Sequence, residues 1–280
     1  MRVFVTGATG YIGSAVVQEL INAGHQVAGL ARSDNGAAIL KEAGAEVHRG
    51  ALDDLDSLRR GVVAADGVIH LAFNHDFSDF ASSLASDLRA VEAMGAALEG
   101  SHKPFVTTVH ANGKAADNAV IALAEHGVRT SVVSLSPTVH GEGDKAFVPR
   151  LINIARNTGV SAYIGNGSNR WPAVHRLDAA HLYRLALEKA PAGSRLYGLA
   201  DEGVPFRDIA DVIARHLNLP MVSISREEAD AHFGFLGAIA ALDIPSILPE
   251  SSVQTRELLG WQPVHPGLIE DLEQGQYFNT

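Results

Sequence analysis

The chain has no cysteine among its 280 residues, which excludes disulfides, thiolate metal sites and a thiol nucleophile. Positive charge is in deficit: 22 Lys and Arg face 32 Asp and Glu, for a net charge of −10. That balance argues against nucleic acid or an anionic membrane as partner. Long hydrophobic runs are missing, since no apolar stretch reaches bilayer-spanning length. The first apolar segment starts at the initiator Met and leaves no room for a signal peptide, so a soluble, cytoplasmic protein is expected. Metal motifs are missing as well. Thirteen histidines are present, but Glu228 and His232, or His175 and His181, form no HExxH-like set, and no metal is expected. No internal repeat, low-complexity tract or flexible linker interrupts the chain.

What remains is 46% hydrophobic, enough to bury a substantial core as one large α/β domain or a domain with a smaller lobe. The organising stretch is MRVFVTGATGYIGSAVVQELINAGHQVAGLARSD. An apolar run, Arg2 to Thr6, leads into Gly7, Gly10 and Gly13; a helical pattern begins near Ser14, and a second apolar run spans Gln26 to Ala31. Strand, glycine turn, helix and strand make one βαβ unit. In such a unit one glycine permits the sharp turn, one lets the backbone approach a pyrophosphate, and Gly13 lets the helix pack close to the sheet. Gly7, Thr9, Gly10, Tyr11, Ile12 and Gly13 are therefore the expected cradle of a dinucleotide, with the helix dipole facing its negative charge. A purely structural glycine turn is the plain alternative.

The end of the second strand selects the cofactor. An acidic residue there would bind the ribose hydroxyls of NAD, whereas an arginine can pair with the 2′-phosphate of NADP. Arg32 and Ser33 stand there, and Asp34 comes one step too late. NADP is expected over NAD, although Arg32 as a solvated surface charge is the competing reading.

The TGATGYIG spacing, DGVIHLAF at Asp66 to Phe73, SPTVHGEGD at Ser136 to Asp144 and WPAVHRLDAAHL at Trp171 to Leu182 together resemble the extended or atypical branch of the short-chain dehydrogenase/reductase superfamily, which includes NAD(P)-dependent epimerases and dehydratases. The likeness runs over nearly the whole chain. It implies a Rossmann fold over residues 1–145 and a smaller substrate-binding lobe over most of 146–280, with segments returning to the sheet. Matching positions imply cofactor contacts at Ala51 and Leu52 on the adenine side, at Leu71, Ala72 and Phe73 near the nicotinamide ribose, and at Pro137, Thr138 and Val139 near the nicotinamide. Ala51 replaces the family's usual Asp, which removes a side-chain acceptor for the adenine amino group. Any of these positions could instead be an ordinary strand end.

The remaining pattern alternates strands and helices: helix Ala37 to Ala43, strand Glu46 to His48, helix Leu55 to Arg60 capped by Asp53 or Asp54, a strand within Val63 to Phe73, helix Ser82 to Glu99, strand Phe105 to Thr108, helix Ala115 to His126 and strand Thr130 to Ser136. Repeated βα alternation predicts a doubly wound parallel sheet with ligands at the carboxyl ends of its strands. Farther on, helices are expected at Val148 to Asn157, Ala179 to Lys189 and Phe206 to His216, with Asp178 as an N-cap.

Dehydrogenases of the superfamily generally use Tyr-x-x-x-Lys, and no tyrosine here has a lysine four residues on. The connection after the fifth strand also looks about twenty residues shorter than in the family, and such connections carry function. In its place stands TTVHANGKAADN. His110 could exchange a proton with a carbonyl or alcohol, Lys114 could hold ribose hydroxyls, and Thr108 could hydrogen-bond the substrate oxygen. The alternative is a plain loop with a solvent-facing histidine and a surface lysine. The resemblance implies that His140, Phe147, Trp171 and His175 face a small-molecule substrate, with core packing the competing reading for Trp171.

Three functions are consistent with these features: an NADP-dependent oxidoreductase acting on a small carbonyl or alcohol, a non-catalytic NADP-binding sensor, and a sugar-nucleotide epimerase or dehydratase. The oxidoreductase is expected, as a monomer or homodimer.

Overall fold

The structure is a computed structural model that describes residues 1–74, 79–110, 113–247 and 251–279. The elements run β1 (Arg2–Thr6), α1 (Tyr11–Asn22), β2 (Gln26–Ala31), α2 (Asp34–Glu42), β3 (Glu46–Arg49), α3 (Leu55–Val63), β4 (Gly67–His70), α4 (Phe80–Leu98), β5 (Pro104–Thr108), α5 (Lys114–Ala122) and β6 (Arg129–Leu135). They continue through β7 (Thr138–His140), α6 (Phe147–Thr158), β8 (Ser161–Ile164), β9 (Arg170–His175), α7 (Arg176–Lys189), β10 (Ser194–Gly198), β11 (Asp201–Pro205), α8 (Phe206–Leu217) and β12 (Met221–Ile224). Last come α9 (Arg226–Phe233), α10 (Gly237–Ala240), α11 (Ile244–Ile247), α12 (Val253–Leu259) and α13 (Leu268–Gln274).

The chain divides into two compact units. The first holds Met1–Ser134, Ala179–Leu196 and Gln254–Trp261; the second holds Leu135–Asp178, Tyr197–Val253 and Gln262–Thr280. The first is built on a seven-stranded sheet of order β10-β6-β5-β4-β1-β2-β3, whose strands β1 to β6 pair in parallel. Outward growth from β1 to β3 and then from β4 to β6 places the switch point between β1 and β4, the doubly wound pattern expected from the sequence. α1 and α2 pack on β1, β2 and β3, while α3, α4 and α5 pack side by side as a second group, the arrangement that right-handed crossovers would give on opposite faces. Phe4, Leu58, Met94, Leu98 and Phe105 fill the core under the second group.

Local chemistry sets the ends of these helices. Asp54 caps α3, its Oδ1 accepting the Ser57 N–H at 2.9 Å. Ser33 caps α2 by accepting the Gly36 N–H at 3.1 Å, so that helix starts three residues before the Ala37 expected from hydrophobic spacing. Likewise α1 begins at Tyr11 rather than near Ser14, because two glycines in and before its first turn hide the apolar period. The Asp178 cap is corrected. With α7 beginning at Arg176, Asp178 is already helical, and its carboxylate reaches the loop that follows α12, accepting the N–H groups of Val264 and His265 at 3.0 and 3.1 Å.

The second unit carries a three-stranded sheet, β11-β9-β7, and a two-stranded one, β12-β8. WPAVH, read in the sequence only as a pocket segment, is most of β9. Trp171 is fully buried there, edge-on to Phe147 and Phe206, within a cluster that includes Ile152, Ile209, Phe233 and Leu272. Among the described residues no helix is long and apolar enough to cross a membrane. Trp171→Ala should cost about 3–5 kcal/mol in urea unfolding; a loss well under about 1 kcal/mol would place the indole at a ligand-facing surface instead.

Candidate functional site

In the first unit the glycine turn sits at the carboxyl end of β1 and presses against the end of β4. Gly7 has φ +66°, and a Cβ there would lie 2.7 Å from Ala72 N and from the Leu71 carbonyl. A Cβ on Gly13 would fall 2.0 Å from Gly7 O, so both glycines serve close contact within the protein. Gly10 is different. It is exposed, and among the described residues only Gly7 O lies near its missing Cβ and no side chain caps α1, at whose N-cap it stands. The mouth of the turn thus offers backbone amides and a helix N-terminus to an anion, with Thr9 and Gly10 open to solvent and Tyr11 and Ile12 half-buried.

A buried relay fixes this junction. Thr6 Oγ1 accepts the N–H groups of Leu71 and Ala72, both at 3.2 Å, so its own proton goes to His70 Nδ1 at 2.6 Å. That leaves the neutral His70 ring with its proton on Nε2, which donates to Asp87 Oδ1 at 3.1 Å. All three side chains are buried. Nothing in the sequence marked Asp87, since a carboxylate in the middle of α4 reads as surface until its buried face is known.

Around the cradle, Arg32 follows β2, is exposed and makes no ion pair among the described residues. Asp34 is instead paired with Arg49. Ser33 Oγ is engaged as an acceptor in the α2 cap, which leaves its proton to donate. Ala51 and Leu52 follow β3, half-buried; the Ala51 carbonyl accepts the Asp54 N–H at 3.2 Å, and Leu52 packs on the core. The residues present fit a phosphorylated dinucleotide: an uncapped helix N-terminus, an approachable glycine backbone and an uncommitted guanidinium.

Thr108, His110 and Lys114 lie at the carboxyl end of β5 and the start of α5. Thr108 Oγ1 is 2.7 Å from the hydroxyl of Tyr183 and 3.5 Å from the His70 carbonyl. The His110 ring stacks on Phe73 at 4.0 Å, and its carbonyl accepts the Gly113 N–H at 2.8 Å in the turn into α5. Lys114 is the first residue of α5 and is exposed. Asp117, one turn on, is only 7% exposed. Burial pushes its carboxyl up to about 6, against the opposing charge of Arg195 and with that of Asp87 adding to the rise.

In the second unit, Pro137 is exposed while Thr138 and Val139 enter β7 and are buried. His140 is fully buried; its Nδ1 is 2.7 Å from Asp271 Oδ2, and its Nε2 has no hydrogen-bond partner among the described residues. His175 lies edge-on to His140 and stacks on His265 at 4.7 Å. Burial, with the neighbouring His140 and His265, lowers His175 to about 4, so it is neutral at ordinary pH. Phe147 is half-buried against the Trp171 edge. The indole faces themselves are taken up by the core, as the packing alternative anticipated.

Ligand atoms of His175, Asp178 and His265 lie within 4.8 Å of one another. Hydrogen bonds within the protein already hold the three together, however. The Leu177 N–H donates to His175 Nδ1 at 3.3 Å, which puts the ring proton on Nε2, and the Asp178 oxygens take two amides and His265 Nδ1 at 2.8 Å. The group is a hydrogen-bonded knot that ties the chain at 264–265 to the start of α7. Glu228, the other metal candidate, is spent on the capping box of α9, and His181 pairs with Glu19 at 2.9 Å.

A family model described as the NAD dependent epimerase/dehydratase family matches residues 3–97. An uncharacterized protein of Schizosaccharomyces pombe is 48% identical over 99% of this chain and 100% of its own length. The chain belongs to the NAD dependent epimerase/dehydratase family. Also similar in sequence is a 2-alkyl-3-oxoalkanoate reductase of Stenotrophomonas maltophilia, 28% identical over 79% of this chain and 77% of its own. For the epimerase/dehydratase fold, one match is the dTDP-glucose 4,6-dehydratase DesIV of Streptomyces venezuelae with NAD bound, at a TM-score of 0.74 and 15% identity, covering 100% of this chain and 97% of that one.

Gly13→Ala should destabilise the protein by about 1–3 kcal/mol, because the helix must move off Gly7 O; an unchanged melting temperature would contradict the packing described. Asp117 has a folded pKa above its unfolded value of 3.8, so the folded state keeps a proton that the unfolded chain releases. Stability should therefore fall as pH rises from about 4 to about 6, and Asp117→Asn should flatten that part of the denaturation profile. An identical slope in the variant would show that Asp117 titrates normally.

Proposed function

We propose that the chain is an NADP(H)-dependent reductase of small carbonyl compounds, in which His110 and Lys114 take the place of the family's tyrosine and lysine. The observation that carries this reading is the placement of Thr108, His110 and Lys114 together at the carboxyl end of β5, beside the end of β4 and the Gly7 turn. Ligands of doubly wound sheets bind at that end, next to the switch point. The reductase among the relatives, acting by its name on an oxoalkanoate, supports a carbonyl as the reacting group.

The cradle of Gly7, Thr9, Gly10, Tyr11, Ile12 and Gly13 would hold the pyrophosphate, and Arg32 with Ser33 the 2′-phosphate, which favours NADP over NAD. Backbone at Leu71 to Phe73 would line the ribose. The bound cofactor supplies the hydride that reduces the carbonyl carbon. Thr108 donates a hydrogen bond to the carbonyl oxygen, which stabilises the charge that gathers there. His110 gives that oxygen its proton and regains one from solvent, and Phe73 holds the imidazole plane while it does so. Lys114 binds ribose hydroxyls through its ammonium. In the second unit, His140, Phe147 and His175 are proposed as substrate contacts and Pro137 to Val139 as cofactor contacts.

With ethyl acetoacetate and phenanthrenequinone as probes, NADPH consumption should be measurable, and His110→Ala should lower kcat by about a hundredfold or more. Undiminished turnover would remove His110 from the chemistry. Arg32→Asp should weaken NADPH about tenfold to a hundredfold while sparing NADH; equal losses would show that Arg32 does not touch the 2′-phosphate. Recycling of cofactor on a sugar nucleotide, with no net consumption on any carbonyl, would favour the epimerase reading. Tight NADPH binding without either activity would favour a sensor.

A further inference from the structure

We infer that Tyr183, on α7, is a positioning residue for the reaction: its buried hydroxyl fixes Thr108 and turns that hydroxyl into a hydrogen-bond donor aimed at the substrate oxygen. This rests on the reductase reading above and adds to it a residue that no motif marks.

Both residues belong to the first unit. Tyr183 is fully buried, and its hydroxyl lies 2.7 Å from Thr108 Oγ1. Burial raises the phenol well above its ordinary value, and the bond to Thr108 lowers it only in part, so the phenol keeps its proton. A buried O–H must be used or it costs about 1–3 kcal/mol. Its acceptor among the described residues is Thr108. With one lone pair of Oγ1 filled by Tyr183, the threonine's own proton has, among the described residues, only the His70 carbonyl, 3.5 Å away and at the outer limit of a hydrogen bond. An acceptor arriving from the open side at a normal 2.7–2.8 Å would capture that proton.

The alternative arrangement has Thr108 donating to Tyr183. It strands the phenol proton in the core and leaves Thr108 able only to accept, which is the wrong polarity for a developing alkoxide. The phenol therefore decides which way the threonine points. Thr108 is β-branched and stands at the end of a buried strand, so χ1 is already restricted, and the bond to Tyr183 selects among the few rotamers left. His70 closes the arrangement from the other side. Its carbonyl is the weak partner of Thr108, while its ring is held by Thr6 and Asp87, so the reference frame for the donor is the same one that holds the glycine turn.

The test combines kinetics with a measurement on the free protein. Turnover of ethyl acetoacetate and phenanthrenequinone by NADPH is measured for Tyr183→Phe, Thr108→Val, Thr108→Ser and the Tyr183→Phe/Thr108→Val double variant. Tyr183→Phe should lower kcat about tenfold with KM for NADPH unchanged, and Thr108→Ser should stay within a few-fold of the parent. The double variant should be no slower than Thr108→Val alone, because the phenol acts through the threonine. In the cofactor-free protein, the carbon-13 resonance of the Tyr183 Cζ should shift in Thr108→Val and hold in Thr108→Ser. A Tyr183→Phe enzyme with full kcat, losses that multiply in the double variant, or a Cζ resonance that ignores Thr108→Val would each overturn the inference. The carbon measurement decides the matter even if Tyr183→Phe does not fold. Failure of the reductase reading looks different: the wild type consumes no NADPH on either probe while the Cζ shift stands, which removes the catalytic role and leaves a structural bond.

Discussion

Everything in the first unit depends on the contact between the glycine turn and the end of β4. Gly7 touches Leu71 and Ala72 so closely that no side chain fits between them, and Thr6 clasps the same two amides through its hydroxyl. The hydroxyl can do this only because His70 takes its proton, and His70 is held in that tautomer by Asp87. A buried carboxylate would be costly alone; here the charge is met by an N–H, and in return the carboxylate sets a proton order that runs to the mouth of the cradle. Since β1 and β4 flank the switch point, the relay places fixed backbone where a doubly wound sheet opens to its ligand.

Chemistry follows from the same frame. Thr108 sits one strand over from His70 and shares its carbonyl, while Tyr183 supplies the hydrogen bond that gives Thr108 a direction. His110 leaves β5 just beyond and lies flat on Phe73, the last aromatic of the β4 segment. His110 and Lys114 flank the bend in which the Gly113 N–H meets the His110 carbonyl.

Much of the first unit was legible in the sequence because its signals are local. Strand, glycine triplet and amphipathic helix follow one another without a break, and the registers of β1, β2, β4, β5 and β6 confirm the parallel order that βα alternation implies. Helix starts were read late where capping chemistry, at Ser33 and Gly10, lies ahead of the apolar period. Residues that act across the fold were not legible. Tyr183 reads as one more core position on a stripe with Ala179, Leu182 and Ala186, and its hydroxyl becomes meaningful only opposite Thr108. Asp178 carries a cap-like signature, yet it secures a loop far along the chain, at Val264 and His265. β9 and β11 were missed because their partners are distant or irregular: Trp171 and Pro172 carry no alternation, and a register shift breaks β11 against β9.

The most direct test of the account is amide hydrogen exchange with and without NADPH. Binding at the cradle requires protection of the amides of residues 7–13 and 71–73, with NADH giving less at equal concentration. Unchanged exchange in both segments under saturating NADPH would contradict it.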